Sequence, residues 1–252
     1  IYDLAVAFNT MSGKLEETEQ TRRDFIANLS HELRSPMTNI RGFLQGMLDG
    51  TIPTADYERY LGIVLSETNR MTKLVTSLLN LSRMENDDTA LSLSTFNINE
   101  LIRLVLIAKV NQIEEKGLDM QLQFEEDSSY VLADRDQIEQ VLINLMDNAI
   151  KFTPHDGRIQ VLTAAMDTAT VGITVQDNGI GILEQDIPYI FDRFYTADKA
   201  HTVGQGTGLG LAICKTILEK HHQRIEVLPR KNGTAIRFTL QRAKAPLAEV
   251  AK

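Results

Sequence analysis

The chain has 252 residues, 43% hydrophobic and 24% charged, a balance that excludes a disordered chain and leaves room for one large domain or two ordinary ones. A formal net charge of −8 without any strongly basic stretch excludes a general nucleic-acid binder and makes a poor surface for anionic lipid. One cysteine, Cys214, cannot form an internal disulfide, and its place in an apolar helix makes it a small core residue rather than a nucleophile. The sequence holds no signal peptide and no run of 18 apolar residues; beginning at Ile1, it is expected to be a piece of a longer protein.

From Tyr2 to about Met84 the pattern is helical. Leu4, Phe8, Met11 and Leu15 step by four, three and four, and the phase continues through Thr18, Arg22, Phe25 and Leu29 as a heptad seam. An apolar stripe follows at Ile26, Leu29, Leu33, Met37, Ile40, Leu44 and Met47. His31 lies off that stripe and points outward, with Glu32 beside it and Ser35 on the same face. Pro36 removes one helical N–H and crowds the Glu32 carbonyl, which loosens the helix beside the pair. The helix stops at Gly50-Thr-Ile-Pro53-Thr54, with Thr54 placed to cap a second helix whose seam runs Tyr57, Leu61, Val64, Thr68, Met71, Val75, Leu78, Ser82. Two long amphipathic helices on a short loop make an antiparallel hairpin. One hairpin cannot bury both its stripes, so the pattern predicts pairing with a second copy into a four-helix bundle.

Glu85-Asn-Asp-Asp-Thr89 has the polarity of a linker, and the texture beyond it is mixed. Phe96 to Lys116 predicts a helix capped by Asn97 or Asn99, Met120–Phe124 a strand, and Asp136–Phe152 a strongly apolar helix. Arg158–Thr163 and Thr170–Gln176 alternate as strands, Leu209–Lys220 is helical, and Arg224–Leu228 pairs with Thr234–Leu240 around Lys231-Asn232-Gly233. The order predicts an α/β sandwich of one antiparallel-looking sheet under a helical layer, with a frayed tail after Arg242. The fold class is therefore α+β: an all-α hairpin followed by an α/β sandwich.

Three stretches of the second half carry chemistry. Asn144, Asn148 and Lys151 recur at i, i+4 and i+7 and set two carboxamides and an ammonium on one helix face. Asparagine is a poor helix former, so the stripe is either a solvated face or an oxygen ligand to Mg²⁺ with a cation for phosphate. Asp177 ends an alternating strand in phase with its apolar side, so its carboxylate faces inward and needs a donor, such as an exocyclic amine. Gly179 and Gly181 let the chain turn close to such a ligand. Gly204-Gln-Gly206-Thr207-Gly208-Leu209-Gly210 opens a helix and offers backbone N–H groups to an anion, without the Gly-Lys-Ser/Thr ending of a P-loop. Each of these is ordinary alone, as is a surface His-Glu pair.

Taken in order they are similar to the motifs of sensor histidine kinases. Phe25–Pro36 resembles the histidine box, Asn144-x3-Asn148 the asparagine box, and Asp177-x-Gly179-x-Gly181 the first glycine box. Tyr189-Ile-Phe191-Asp-Arg193-Phe194-Tyr195 resembles the phenylalanine box, Gly206-Thr-Gly208-Leu-Gly210-Leu the second glycine box, and Asn232-Gly-Thr234 the end of the last one. Residues 1–18 look like the closing helix of a HAMP signal-relay module, 19–87 like the dimerisation and phosphotransfer hairpin, and 91–243 like a catalytic domain of the Bergerat ATP-binding type, leaving 244–252 as a tail.

The resemblance implies that His31 accepts the γ-phosphate of ATP while Glu32 orients the imidazole and takes its proton. It implies that Asp177 accepts from the adenine amino group, that Asn148 binds Mg²⁺ with Asn144 assisting, and that Lys151 and Phe152 line the nucleotide and phosphate side. Gly206, Thr207, Gly208, Leu209 and Gly210 would close over the triphosphate, with Gln185–Gly204 as a mobile lid. It further implies a homodimer, a response-regulator receiver domain as partner, no nucleic acid, and a membrane contact only through N-terminal segments missing here, this part lying on the cytoplasmic side. Two positions depart from the family. Ser35 stands where phosphatase-competent members carry Thr or Asn, which puts phosphatase activity in doubt, and His221-His222-Gln223 stands where many have His-Gly-Gly, a change expected in a turn and on the surface. The rival readings are an ATPase of the gyrase, chaperone or mismatch-repair type and a nucleotide-switched coiled-coil scaffold. The ATPases use a carboxylate on the Asn-bearing helix; Glu139 is there, but Asn144 occupies the matching place.

Overall fold

A computed structural model describes residues 2–86, 91–126, 129–196 and 208–245. The chain divides into two compact units, residues 1–79 and 80–252.

In the first unit, α1 (Tyr2–Leu48) is a single 47-residue helix that runs unbroken through Pro36. The proline costs one helical hydrogen bond and its ring is buried, so the expected irregularity is a missing donor and not a break. A turn follows in which Gly50 takes φ +76°, a left-handed conformation natural only to glycine. Thr54 is not the expected cap. It sits inside a single 3-10 turn, Thr54–Asp56, closed by Asp56 N–H donating to Pro53 O at 3.0 Å, and α2 (Tyr57–Asn86) starts from there. Glu85 and Asn86 of the expected linker belong to α2, and 87–89 lie outside the described residues. The hairpin is closed by Tyr57 Oη donating to Met47 O at 2.6 Å and by the Phe43 and Tyr60 rings, 5.2 Å apart. Its stripes are only partly covered. Leu29, Leu33, Ile40 and Met47 are half-buried, whereas Met37 of the first stripe and Leu61 and Val75 of the second expose 58%, 48% and 44%, and Leu65 and Leu79, flanking the second stripe, expose 62% and 54%.

The second unit starts with β1 (Leu93–Asn97), α3 (Ile98–Ala108), α4 (Val110–Glu115), β2 (Asp119–Phe124) and β3 (Tyr130–Asp134). It continues with α5 (Arg135–Phe152), β4 (Arg158–Ala165), β5 (Thr170–Asp177), α6 (Gly210–Lys220), β6 (Ile225–Val227) and β7 (Ala235–Gln241). The helix expected over 96–116 is replaced by three elements. Phe96 and Asn97 end β1, the Asn97 side chain accepts from Asn99 N to start α3, and Lys109 at φ −105°, ψ 2° separates α3 from α4. The five-stranded sheet has the order β2-β4-β5-β7-β6, antiparallel except for β2 beside β4, which are parallel and so correct the expectation of an antiparallel set. β1 and β3 form a separate antiparallel pair.

The core lies between the sheet and the helices. Ile159 and Val161 of β4, Val171, Ile173 and Val175 of β5, and Phe238 and Leu240 of β7 are buried, facing Ile138, Val141, Leu142, Leu145, Met146, Ala149 and Ile150 of α5 and five residues of α6. Each large aliphatic side chain so buried stabilises the fold by about 1.5–3 kcal/mol. The other face of the sheet is polar: Gln176 donates to Gln160, and Gln160 to Gln123 across β5, β4 and β2.

Candidate functional site

On the hairpin, His31 is exposed on α1 and Ser35 is exposed on the same face. Glu32 is half-buried because Arg70, reaching from α2, donates Nη2 to its Oε2 at 2.9 Å. Glu32 Oε1 takes no hydrogen bond from the described residues. Arg70 is itself seated beside Glu67, a carboxylate exposed to only 5% and bonded by Asn39 Nδ2 at 3.2 Å. Arg70 lies 38 residues from Glu32, and no local spacing marks it.

In the second unit, α5 is anchored at both ends. Asp134 caps its start, accepting from Gln137 N at 3.3 Å, and its own N–H donates to His221 Nε2 at 3.0 Å. His221 Nδ1 lies 2.7 Å from Ile217 O, which can only accept, so the proton sits on Nδ1 and the imidazole clamps the end of α6 to the start of α5. His221 is thus a half-buried structural residue and not the surface residue expected, while His222 is exposed at φ 54°. No cluster of three or more metal-ligating side chains of the His, Cys, Asp or Glu type occurs among the described residues. At the far end of α5, Lys116 Nζ donates to the carbonyls of Ile150 at 2.6 Å, Lys151 at 2.9 Å and Thr153, three acceptors that the helix end leaves open. Lys116 was invisible in sequence because it caps a helix 34 residues away.

The two asparagines of α5 differ. Asn148 is half-buried and its carboxamide takes no hydrogen bond from the described residues, which leaves a neutral oxygen ligand of the kind a hard cation prefers. Asn144 is fully engaged: it donates Nδ2 to Gly210 O at 3.2 Å and accepts from Gln140 Nε2 at 3.0 Å. Lys151 Nζ sits 4.4 Å from the centre of the Phe152 ring. Cys214, on α6, is wholly buried against α5, with Sγ 3.8 Å from Val141 O, and burial pushes its thiol up to about 12.

Asp177 closes the inward row of β5 and is only 7% exposed. Its Oδ1 accepts from Gly179 N at 2.8 Å and Thr234 N at 3.2 Å, and Oδ2 takes no hydrogen bond from the described residues. Burial raises its carboxyl above the ordinary value, opposed by those two N–H groups and by the Arg230 charge. Arg230 also donates to Asp177 O at 3.4 Å, a contact across 53 residues that sequence reading missed. The glycines are demanded by space. A Cβ on Gly179 would lie 2.3 Å from Phe152 O, and one on Gly233 (φ +75°) 1.9 Å from Asp177 O. A cavity of about 430 Å³ opens between the 178–183 turn, with Gly181 at φ +76°, and the 230–233 turn. That is the size of a small-molecule pocket.

Gly208, at φ +66°, is pressed on Phe194, whose N–H donates to Gly208 O at 2.9 Å; a Cβ on Gly208 would meet the Phe194 carbonyl carbon at 2.6 Å. Leu209 is buried and Gly210 opens α6. Gly204, Gly206 and Thr207 lie outside the described residues, as do 197–204 of the expected lid. Residues 185–196 form turns in which Tyr195 Oη donates to Asp186 Oδ1 at 2.7 Å; that hydrogen bond is the first cause holding the phenol at about 12.

Comparison with known proteins covers both units. Residues 21–87 match the His Kinase A (phospho-acceptor) domain, and residues 133–244 match the histidine kinase-, DNA gyrase B-, and HSP90-like ATPase family. The sensor histidine kinase WalK of Bacillus subtilis is 37% identical over 231 residues, 89% of this chain and 37% of WalK. The sensor protein SrrB of Staphylococcus aureus is 36% identical over 211 residues, 83% of this chain and 36% of SrrB. The chain therefore spans little more than a third of the length of these curated relatives. Among solved structures, the catalytic domain of the histidine kinase ThkA is 34% identical, with 60% of this chain and 98% of that domain covered and a TM-score of 0.55. ThkA in complex with the response regulator protein TrrA is 29% identical, covering 91% of this chain and 66% of that one, with a TM-score of 0.74.

Proposed function

The chain belongs to the sensor histidine kinases of bacterial two-component systems, and we propose that it phosphorylates itself on His31 from ATP and passes the phosphoryl group to an aspartate of a response regulator. The observation that carries this reading is the exposed imidazole of His31 beside a carboxylate that Arg70 holds by one oxygen only. A ring nitrogen attacks the γ-phosphorus, the bond to the bridging oxygen breaks, ADP leaves, and the imidazole proton passes to Glu32 Oε1. In the second transfer the P–N bond breaks as a receiver-domain carboxylate oxygen bonds the phosphorus. ThkA, a relative solved in complex with the response regulator protein TrrA, supports such a partner.

On the nucleotide side, Asp177 Oδ2 accepts from an adenine amino group while Oδ1 is held by Gly179 and Thr234. Asn148 offers its carboxamide oxygen to Mg²⁺, and Lys151 offers positive charge to the phosphates. The metal supplies charge neutralisation for phosphoryl transfer. Gly208 and Gly210, before and at the start of α6, would present their backbone to the phosphates, and the reading extends that role to Gly206 and Thr207, with 185–204 as a cover. The ATPase rival is disfavoured because the hairpin is present and because Asn144, at the place of its catalytic carboxylate, is used inside the protein.

The layout is a HAMP end at 1–18, a phosphotransfer hairpin at 19–87, a catalytic domain at 91–243 and a tail at 244–252. The exposed Met37, Leu65 and Leu79 support pairing of the hairpin with a second copy into a four-helix bundle. No described helix is long and apolar enough to cross a membrane; the membrane anchor of the parent lies in segments beyond this chain, with this part on the cytoplasmic side. Ser35, exposed near His31, is the candidate for orienting water in dephosphorylation of the regulator. The test is incubation with γ-labelled ATP and Mg²⁺. Label that enters the protein and is absent from His31→Ala and Asn148→Asp supports the reading, and label retained in His31→Ala overturns it.

A further inference from the structure

Three groups fix one another around Asn144. The Gly210 carbonyl can only accept, so Asn144 must turn Nδ2 toward it; Asn144 Oδ1 then faces Gln140, which must turn Nε2 inward. The amide orientation follows from the carbonyl outward and leaves Asn144 no second arrangement that satisfies all three. Gly210 is the first residue of α6, so one carboxamide ties the phosphate-facing start of that helix to α5, across 66 residues of sequence. Asn148, one turn further along α5, makes no such bond. The same spacing that makes the two asparagines look equivalent conceals two different jobs.

We propose that Asn144 is a latch and not a metal ligand: oriented by Gln140, it positions the first turn of α6 for the nucleotide's phosphates and leaves the metal to Asn148. Gln140 and Asn144 are positioning residues, and Gly210 contributes a carbonyl rather than a steric demand, since a Cβ there would meet only ordinary contacts at 3.8 Å from Asn144. This rests on reading Asn148 and Asp177 as the nucleotide site.

Cys214 provides a built-in reporter. It is the chain's single thiol, one turn beyond Gly210, and it is wholly buried between α5 and α6. A thiol reagent reaches it only when the two helices part. In the full chain without nucleotide or metal, Gln140→Leu and Asn144→Asp should each label roughly 3- to 10-fold faster than the wild type, the effect of losing one net hydrogen bond. Lys215→Ala, exposed on the same helix, should label at the wild-type rate. Gln140→Leu should also weaken ATP·Mg²⁺ binding while leaving affinity for adenosine, which carries no phosphate, within about two-fold, a split that general loss of packing would not produce.

Asn144→Asp separates the two roles. A carboxylate is a better ligand for a hard cation but cannot donate to Gly210 O. Faster labelling of this variant with no metal present supports the latch. Wild-type labelling together with a lower Mg²⁺ requirement for ATP binding overturns it, and so does labelling of Gln140→Leu at the wild-type rate. If ATP·Mg²⁺ fails to slow labelling of the wild type and does not bind, the nucleotide-site reading itself fails, an outcome distinct from either.

Discussion

The two units solve the burial problem in opposite ways. In the sandwich, Phe238, Ile138 and Ile173 are wholly covered by neighbours from the same chain, because an amphipathic helix layer meets the apolar face of a sheet. In the hairpin, two amphipathic helices leave Met37, Leu61 and Val75 of their stripes largely uncovered and the flanking Leu65 and Leu79 more than half exposed, because two helices cannot surround both stripes. The first unit leaves apolar surface uncovered and the second buries its own. Both units hold one carboxylate alike. Glu32 and Asp177 are each tied by one oxygen, to Arg70 or to backbone N–H groups, and the other oxygen takes no hydrogen bond from the described residues.

Substitutions can break this contrast. Phe238→Ala should lower the stability of the sandwich by about 3–5 kcal/mol. Leu65→Asp should leave the sandwich transition in place and instead convert a dimer to monomers in sedimentation at micromolar concentration. A Leu65→Asp protein that remains dimeric would place the interface elsewhere. Next in size are the glycines that flank Leu209. Gly208→Ala forces an L-residue to φ +66° against Phe194 and should cost roughly 1–3 kcal/mol with loss of nucleotide binding. Gly210→Ala has space for its methyl and should change melting by less than about 0.5 kcal/mol.

A further substitution sharpens the comparison of carboxylates. Burial raises the Asp177 carboxyl, so its contribution to folding is fully present below the ordinary value of 3.8 and is lost as pH rises through the higher folded value. Asp177→Asn, free of the buried charge, should melt above the nucleotide-free wild type at about pH 7, by an amount that shrinks as pH falls toward 4. It should also no longer bind ATP. A constant difference across that range would contradict burial as the cause. The smallest effect belongs to His222, which holds φ 54° just beyond α6. His222→Gly removes that strain and should stabilise the sandwich by about 1 kcal/mol in chemical denaturation.

Much of this was legible in sequence because it is periodic. The inward phase of Asp177, the strong face of α5 and the outward turn of His31 all follow from repeats of two or of 3.6 residues. What was hidden is long-range or aperiodic. β1 is five residues long and mostly exposed, so it carries no alternation, and β3 pairs with it only in three dimensions. The break at Lys109 has no Pro or Gly to announce it, and the parallel partnership of β2 with β4 is set by topology. Arg70, Lys116 and Arg230 act on residues 34 to 53 positions away. Asn144 and Asn148 read alike until Gln140 and Gly210 are seen to claim the first.

On the proposed function, the phosphoryl group taken from ATP ends on a ring nitrogen of His31. Mapping the phosphate after reaction with ATP and Mg²⁺, by phosphorus NMR with peptide mass analysis, tests it most directly. The expected product is an acid-labile phosphoramidate confined to a ring nitrogen of His31. An acid-stable ester on a hydroxyl, or ATP hydrolysed with no phosphoprotein formed, would contradict it.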